Sequence, residues 1–188
     1  MRSTALFSAL FLALVACAGK TPDTVRYLLP AATPVGTARV EPPRWIALGG
    51  IQLAPYLMQA GLVVETGARE VRPARFHRWA EPLDAGLRRF LRAEISAALG
   101  YDIAADTAQR SRWDETVELE IDRLHGTLSG EAVLVARWQV RPAPGQGEPR
   151  AFRFTERRPL AEAGYAGLVE AEIALLKQLA QEIAGSLR

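Results

Sequence analysis

The stretch from Glu115 to Arg123 constrains the fold more than any other part of the chain. Val117, Leu119 and Ile121 alternate there with Glu118, Glu120 and Asp122. A period of two sets the apolar residues on one face of an extended strand and the acids on the other. Such a strand needs cover on one side and tolerates water on the other, which fits an antiparallel sheet with a single packed layer. Gly126 to Glu131 reads as a turn, and Ala132 to Val140 returns as a second strand. In it Val133, Val135 and Arg137 share one face, and Leu134, Ala136, Trp138 and Val140 share the other. Pro142 to Pro149 is a loop rich in Gly and Pro, and Ala151 to Arg157 is a further strand.

Two segments have the spacing to supply the cover. Leu83, Leu87, Phe90, Leu91 and Ile95, with Ala98, form a stripe at helical period, while Arg88, Arg89 and Arg92 lie mainly off it. Pro82 suits the first helical position, Asp84 suits the positive end of the helix dipole, and Gly100 stops the helix. Leu168 to Leu187 repeats the pattern with Val169, Ile173, Leu176, Ala180, Ile183 and Leu187. Upstream, Trp45 to Leu53 predicts a strand with a bulge or close contact at Gly49-Gly50, and Ala54 to Leu57 turns the chain. Leu62 to Glu65 and Glu70 to Arg75 predict a hairpin around Thr66-Gly67-Ala68, and Tyr101 to Ala105 a short strand. The fold class is α+β: a single domain with a mixed, mostly antiparallel sheet and two main amphipathic helices packed on one face. No internal repeat is present.

The N-terminus carries a targeting pattern. Arg2 is followed by an uncharged run from Ala5 to Ala16, then Cys17. An apolar run of about 12 residues is too short to span a bilayer and suits the core of a signal peptide. Leu14-Val15-Ala16-Cys17 resembles the bacterial lipobox, which implies removal of 1–16 and lipid on Cys17. Cys17 is the single cysteine, so it has no intramolecular disulfide partner. Ala18, rather than Asp, resembles the sorting signal for the outer membrane. Residues 17–44 then read as the lipidated N-terminus and a proline-bearing tether, and 45–188 as the folded domain. Within the tether, Tyr27-Leu28-Leu29-Pro30 is expected to dock on the domain as a strand, because adjacent large apolar groups are costly to leave in water.

Charge and motifs exclude several classes. Lys plus Arg number 23 against 21 Asp plus Glu, a net charge of +2, so there is no electrostatic footprint for nucleic acid. The two histidines, His77 and His125, form no His-Glu-x-x-His pair, so neither a metal site nor a cofactor is expected. Gly126 to Gly130 lacks the spacing of a nucleophile elbow, and Gly49-Gly50 alone is no phosphate loop. Glu118, Glu120 and Asp122 read as a solvated face rather than a catalytic pair. Arg157-Arg158 and Arg88-Arg89 suit solvent first, and anionic headgroups or an acidic partner second. Trp79 and Trp138 suit the core or its edge, with a partner interface open for Trp79, Arg78, Arg88 and Arg92. No catalytic residue is expected.

The lipobox, Tyr27-Leu28-Leu29-Pro30, Leu53-Ala54-Pro55-Tyr56-Leu57, Arg78-Trp79-Ala80-Glu81-Pro82-Leu83, Ile121-Asp122-Arg123-Leu124 and Ala136-Arg137-Trp138 together resemble the PqiC-type (YmbA-like), or ABC-type transport auxiliary, lipoprotein family. Met58-Gln59-Ala60-Gly61-Leu62 is more apolar than the family pattern. The resemblance implies a non-enzymatic lipoprotein of the outer membrane, facing the periplasm and supporting membrane integrity. It would dock an MCE-domain protein of the PqiB-like kind and its inner-membrane partners, which move lipids or other hydrophobic molecules between membranes. A symmetric ring of copies around a tubular partner fits that role, though no residue demands it. The alternatives are a lipid-binding carrier or chaperone with an apolar groove and, less well supported, a periplasmic hydrolase.

Overall fold

The computed structural model describes residues 22–30, 44–104 and 113–188; the signal segment and Cys17 lie outside them. Among the described residues one mixed sheet holds seven strands: β1 (Val25–Tyr27), β2 (Ile46–Leu53), β3 (Gly61–Gly67), β4 (Glu70–Trp79), β5 (Glu115–Gly126), β6 (Glu131–Pro142) and β7 (Arg150–Pro159). The order is β1-β4-β3-β5-β6-β7, with β2 also paired to β5. β5, β6 and β7 form the antiparallel meander that the alternating pattern demands, with Leu119 opposite Trp138 and Trp138 opposite Phe152. β2 runs parallel to β5 from Ile46 beside Glu115 to Leu53 beside Ile121. β3 takes up the same edge of β5 further on, where Val64 faces Gly126. The two join through a 3-10 turn at Pro55–Met58.

Helices α1 (Leu83–Leu99) and α2 (Tyr165–Ser186) pack on the sheet and on each other. The apolar stripe of α1 is buried along its length, from Leu83 through Leu87, Phe90 and Leu91 to Ile95. These meet Leu48, Val117, Leu119, Ile121, Leu134, Leu175, Leu176 and Leu179 in one continuous core. Each such side chain, fully withdrawn from water, contributes about 1.5–3 kcal/mol, which drives both helices onto one face. No described helix is long and apolar enough to cross a membrane.

Several boundaries differ from the sequence expectation. The Gly49-Gly50 bulge is present, as a register shift between Leu48 and Ile51. β4, however, does not stop at Arg75. It continues to Trp79 because β1 supplies a parallel partner there, Val25 beside His77 and Tyr27 beside Trp79. Opposite, Gly61 faces Arg78 while Val63 faces Pro73, so β4 carries a wide bulge between those pairs. Pro82 caps α1 from an extended conformation rather than occupying its first turn. Of the short strand expected over Tyr101 to Ala105, the described residues 101–104 form a single bridge, Ala104 to Ala47. Ala104 makes two 2.9 Å backbone hydrogen bonds to β2, donating to Ile46 O and accepting from the Leu48 N–H, while the preceding Ile103 N–H donates to Ser96 Oγ at 3.0 Å and ties that residue to the end of α1. Val133 and Val135 share a face with Arg137, yet both are buried, so β6 is covered on both sides at that level.

Candidate functional site

The string Arg78-Trp79-Ala80-Glu81-Pro82-Leu83 forms a clasp. The Trp79 N–H donates to Ala60 O at 2.9 Å, and the Ala80 N–H donates to Tyr27 O at 2.8 Å. Trp79 itself is buried, only 7% exposed. Glu81 accepts two hydrogen bonds from the guanidinium of Arg89, two turns into α1, and this holds the Glu81 carboxyl below the usual carboxylate range. Gly86 sits between Glu81 and Leu29; a Cβ there would meet Glu81 Oε1 at 3.1 Å and Leu29 Cδ1 at 3.6 Å. The string thus joins three elements, β1, β4 and α1, and holds Leu29 in the core. Tyr27 is half-buried and Leu28 is exposed, so one side chain of the Tyr27 to Pro30 patch is fully withdrawn from water.

The residues considered for a partner interface are placed differently from one another. Arg78 is exposed and its Nε donates to Arg75 O at 3.1 Å, across the bulge. Arg88 Nη1 donates to Gly49 O at 2.8 Å, satisfying a carbonyl at the β2 bulge. Arg92 Nη1 reaches Ile103 O at 3.5 Å. Arg88 and Arg92, one turn apart, therefore bind α1 to neighbouring backbone, while Trp79 faces the core.

The acidic face of β5 is engaged by arginines. Arg137 makes two 2.7 Å hydrogen bonds to Glu120 and lies 3.4 Å from Asp122, and Arg141 lies 3.1 Å from Glu118. The Arg137 pairing lowers the Glu120 carboxyl, the reverse of what a general acid needs. Among the described residues no three His, Cys, Asp or Glu side chains are grouped to hold a metal.

Three polar groups have surroundings that the sequence did not reveal. Glu172 on α2 is buried, Oε2 has no hydrogen-bond partner, and burial pushes its carboxyl up to about 8. Its position, four residues from both Leu168 and Leu176, put it on the apolar stripe, and that was the available signal. His125 on β5 is also buried with neither ring nitrogen paired, and desolvation lowers its affinity for a proton. Tyr56 lies edge-on to His125, ring centroids 6.1 Å apart, and its phenol is raised by burial, with the nearby Glu172 charge adding to the effect. At the end of the sheet where α2 begins, an open apolar groove of about 400 Å³ runs between Val64, Leu128, Leu160, Tyr165 and Leu168. Tyr165 stacks on His77 with centroids 4.1 Å apart, and His77 Nδ1 hydrogen-bonds Tyr27 Oη at 2.9 Å.

Residues 27–184 match the model of the ABC-type transport auxiliary lipoprotein component. The chain belongs to that family. The match begins at Tyr27, the last residue of β1, and runs to two residues before the end of α2, so β2 to β7, α1 and nearly all of α2 fall within this transport auxiliary lipoprotein unit. A crystal structure of an uncharacterized protein superposes with a TM-score of 0.75 at 23% identity, covering 89% of this chain and 100% of its own. A protein from Xanthomonas campestris superposes with a TM-score of 0.61 at 16% identity, covering 87% of this chain and 92% of its own. At these identities the two structures show a shared fold. Comparison with curated proteins finds no match.

Proposed function

We propose that this transport auxiliary lipoprotein is held by lipid on Cys17 at the outer membrane, with its domain in the periplasm. There it serves without catalysis as a docking component of an MCE-type system that moves hydrophobic molecules between membranes. The observation that carries the reading is the family match over 27–184, which names a transport auxiliary lipoprotein, joined to the lipobox that ends at Cys17. The β5 carboxylates engaged by Arg137 and Arg141 suit a structural ion-pair face better than acid–base chemistry. Of the four interface candidates, Arg78 is the exposed one and is the first to test against a partner. A ring of copies remains part of the proposal as the arrangement suited to a tubular partner.

The test is a pull-down of the lipidated chain with an MCE-domain protein from the same cell. Retention at micromolar concentration is expected, and two folded proteins that fail to associate would refute the docking role. For the anchor, Cys17→Ser is expected to leave the signal uncut and the protein misplaced; a normally processed, membrane-bound variant would refute it. The groove of about 400 Å³ favours one second reading, a carrier that holds an acyl chain. Mass spectrometry of lipid co-purifying with the chain separates the two, since a carrier retains lipid in stoichiometric amount.

A further inference from the structure

Where the chain enters the fold sets which end of the domain meets the membrane. β1 runs parallel to β4, and Val25 lies beside His77. β4 runs from Glu70 at the tip of the β3–β4 hairpin toward Trp79, so residues upstream of Val25 approach from the side of that tip. Val64 pairs in parallel with Gly126, which sets the tip of the β5–β6 hairpin, Thr127 to Gly130, at the same end. Cys17 is eight positions before Val25, and that length of chain reaches at most about 28 Å. β3, seven residues from the level of Arg78 to the tip, spans about 20 Å. The connection is therefore short, and its described part, residues 22–24, enters from the side of the end that carries both tips.

That end is also where the apolar groove opens. Leu128 at the tip of the β5–β6 hairpin is 74% exposed and forms one wall of the groove. The turn beneath it is internally satisfied: Thr127 Oγ1 and Ser129 Oγ lie 2.8 Å apart, the Glu131 N–H donates to Thr127 Oγ1 at 3.1 Å, and Gly130 takes a positive φ of 78°. Its polar groups face one another and the leucine projects. Charge here is mixed, with Arg72 paired to Glu70 and Arg157 to Glu131. We propose that this end seats on the phospholipid bilayer, with Leu128 entering the apolar layer and the groove mouth turned toward the lipid. The inference rests on lipid attachment at Cys17, and it makes the contact apolar rather than electrostatic.

The experiment uses the full lipidated chain in vesicles of phosphatidylethanolamine and phosphatidylglycerol. Because the native thiol is occupied by lipid, Ser129→Cys provides one labelling site beside Leu128, and Gln146→Cys provides one in the β6–β7 loop at the opposite end. Acyl-chain bromines should quench a fluorophore at 129 by about two-fold, the depth of a residue in the headgroup–acyl boundary, and leave one at 146 untouched. Quenching should persist in about 1 M salt, where the screening length is about 3 Å, and should fall when Leu128→Asp is added. Equal signals at 129 and 146 in membrane-bound protein overturn the orientation while leaving the anchor intact. Protein that stays in the supernatant overturns the anchor, and the orientation with it.

Discussion

Replacing Glu172 with Gln should stabilise the protein, and by an amount that depends on pH. The carboxyl is buried on the apolar stripe of α2, its Oε2 unpaired, and burial raises it from 4.5 to about 8. An acid raised on folding costs nothing below pH 4.5, where the folded and unfolded chains are both protonated. As pH rises toward 8 the unfolded chain ionises and the folded one does not, so stability is lost across that window and is flat above it. Each pH step in the window removes about 1.4 kcal/mol, so the full loss is about 5 kcal/mol, a large part of the about 5–15 kcal/mol that holds a typical domain together. Glu172→Gln keeps the shape and a neutral polar group but cannot titrate. We expect the two proteins to unfold within about 1 kcal/mol of each other at pH 5 and to diverge by about 4–5 kcal/mol at pH 9. In a chain of this length that is a gain in Tm of about 10 °C. Urea titrations of both proteins at pH 5, 7 and 9 give the difference directly, and the contribution of His125, common to both, cancels. A wild-type-to-variant difference that does not change between pH 5 and pH 9 would refute the argument, since the penalty would then not come from the charge.

Further outcomes follow from the same structure. His125 is buried and its proton affinity is lowered by desolvation, so its neutral form is favoured by folding and stability is lost as pH falls through about 6.5. His125→Leu should flatten that acid limb, read as the ratio of urea midpoints at pH 5 and pH 7. Phe90 is 1% exposed in the centre of the core, and Phe90→Ala should cost about 3–5 kcal/mol by chemical denaturation. Gly61→Ala places a Cβ 2.5 Å from Ala74 O, a backbone atom that no rotamer change can move, and should cost about 1–3 kcal/mol while disturbing the β4 bulge. Leu29→Ala removes the anchor of β1 and should cost about 2–5 kcal/mol, with faster proteolysis within 22–30 than at any site in β5 to β7.

The parts of the fold legible in the sequence are those that follow from periodicity. The alternation in β5, the stripe on α1 and the stripe on α2 each specify an element and its buried face without reference to the rest of the chain. The candidate site was legible only as a motif. Arg78 to Leu83 marks the family, but its spacing says nothing of Trp79 turning inward or of Glu81 gripping Arg89. Both depend on β1 lying beside the end of β4, a contact between residues about fifty positions apart in sequence. Likewise Arg88 is an ordinary helix-surface arginine until the β2 bulge presents Gly49 O to it.

The amino-acid sequence by itself determined the periodic elements, the lipobox-like pattern before Cys17 and the family motifs, because each is a local pattern whose meaning travels with its residues. Tertiary structure alone decided three other things. It decided that Glu172 is a neutral acid rather than a surface charge, since proton affinity follows burial and partners, not residue type. It decided that β2 and β3 share one edge of β5, since parallel pairing joins segments distant in sequence. And it decided the direction of β1, from which the membrane-facing end of the domain is inferred, since the sense of a strand is set by its neighbour.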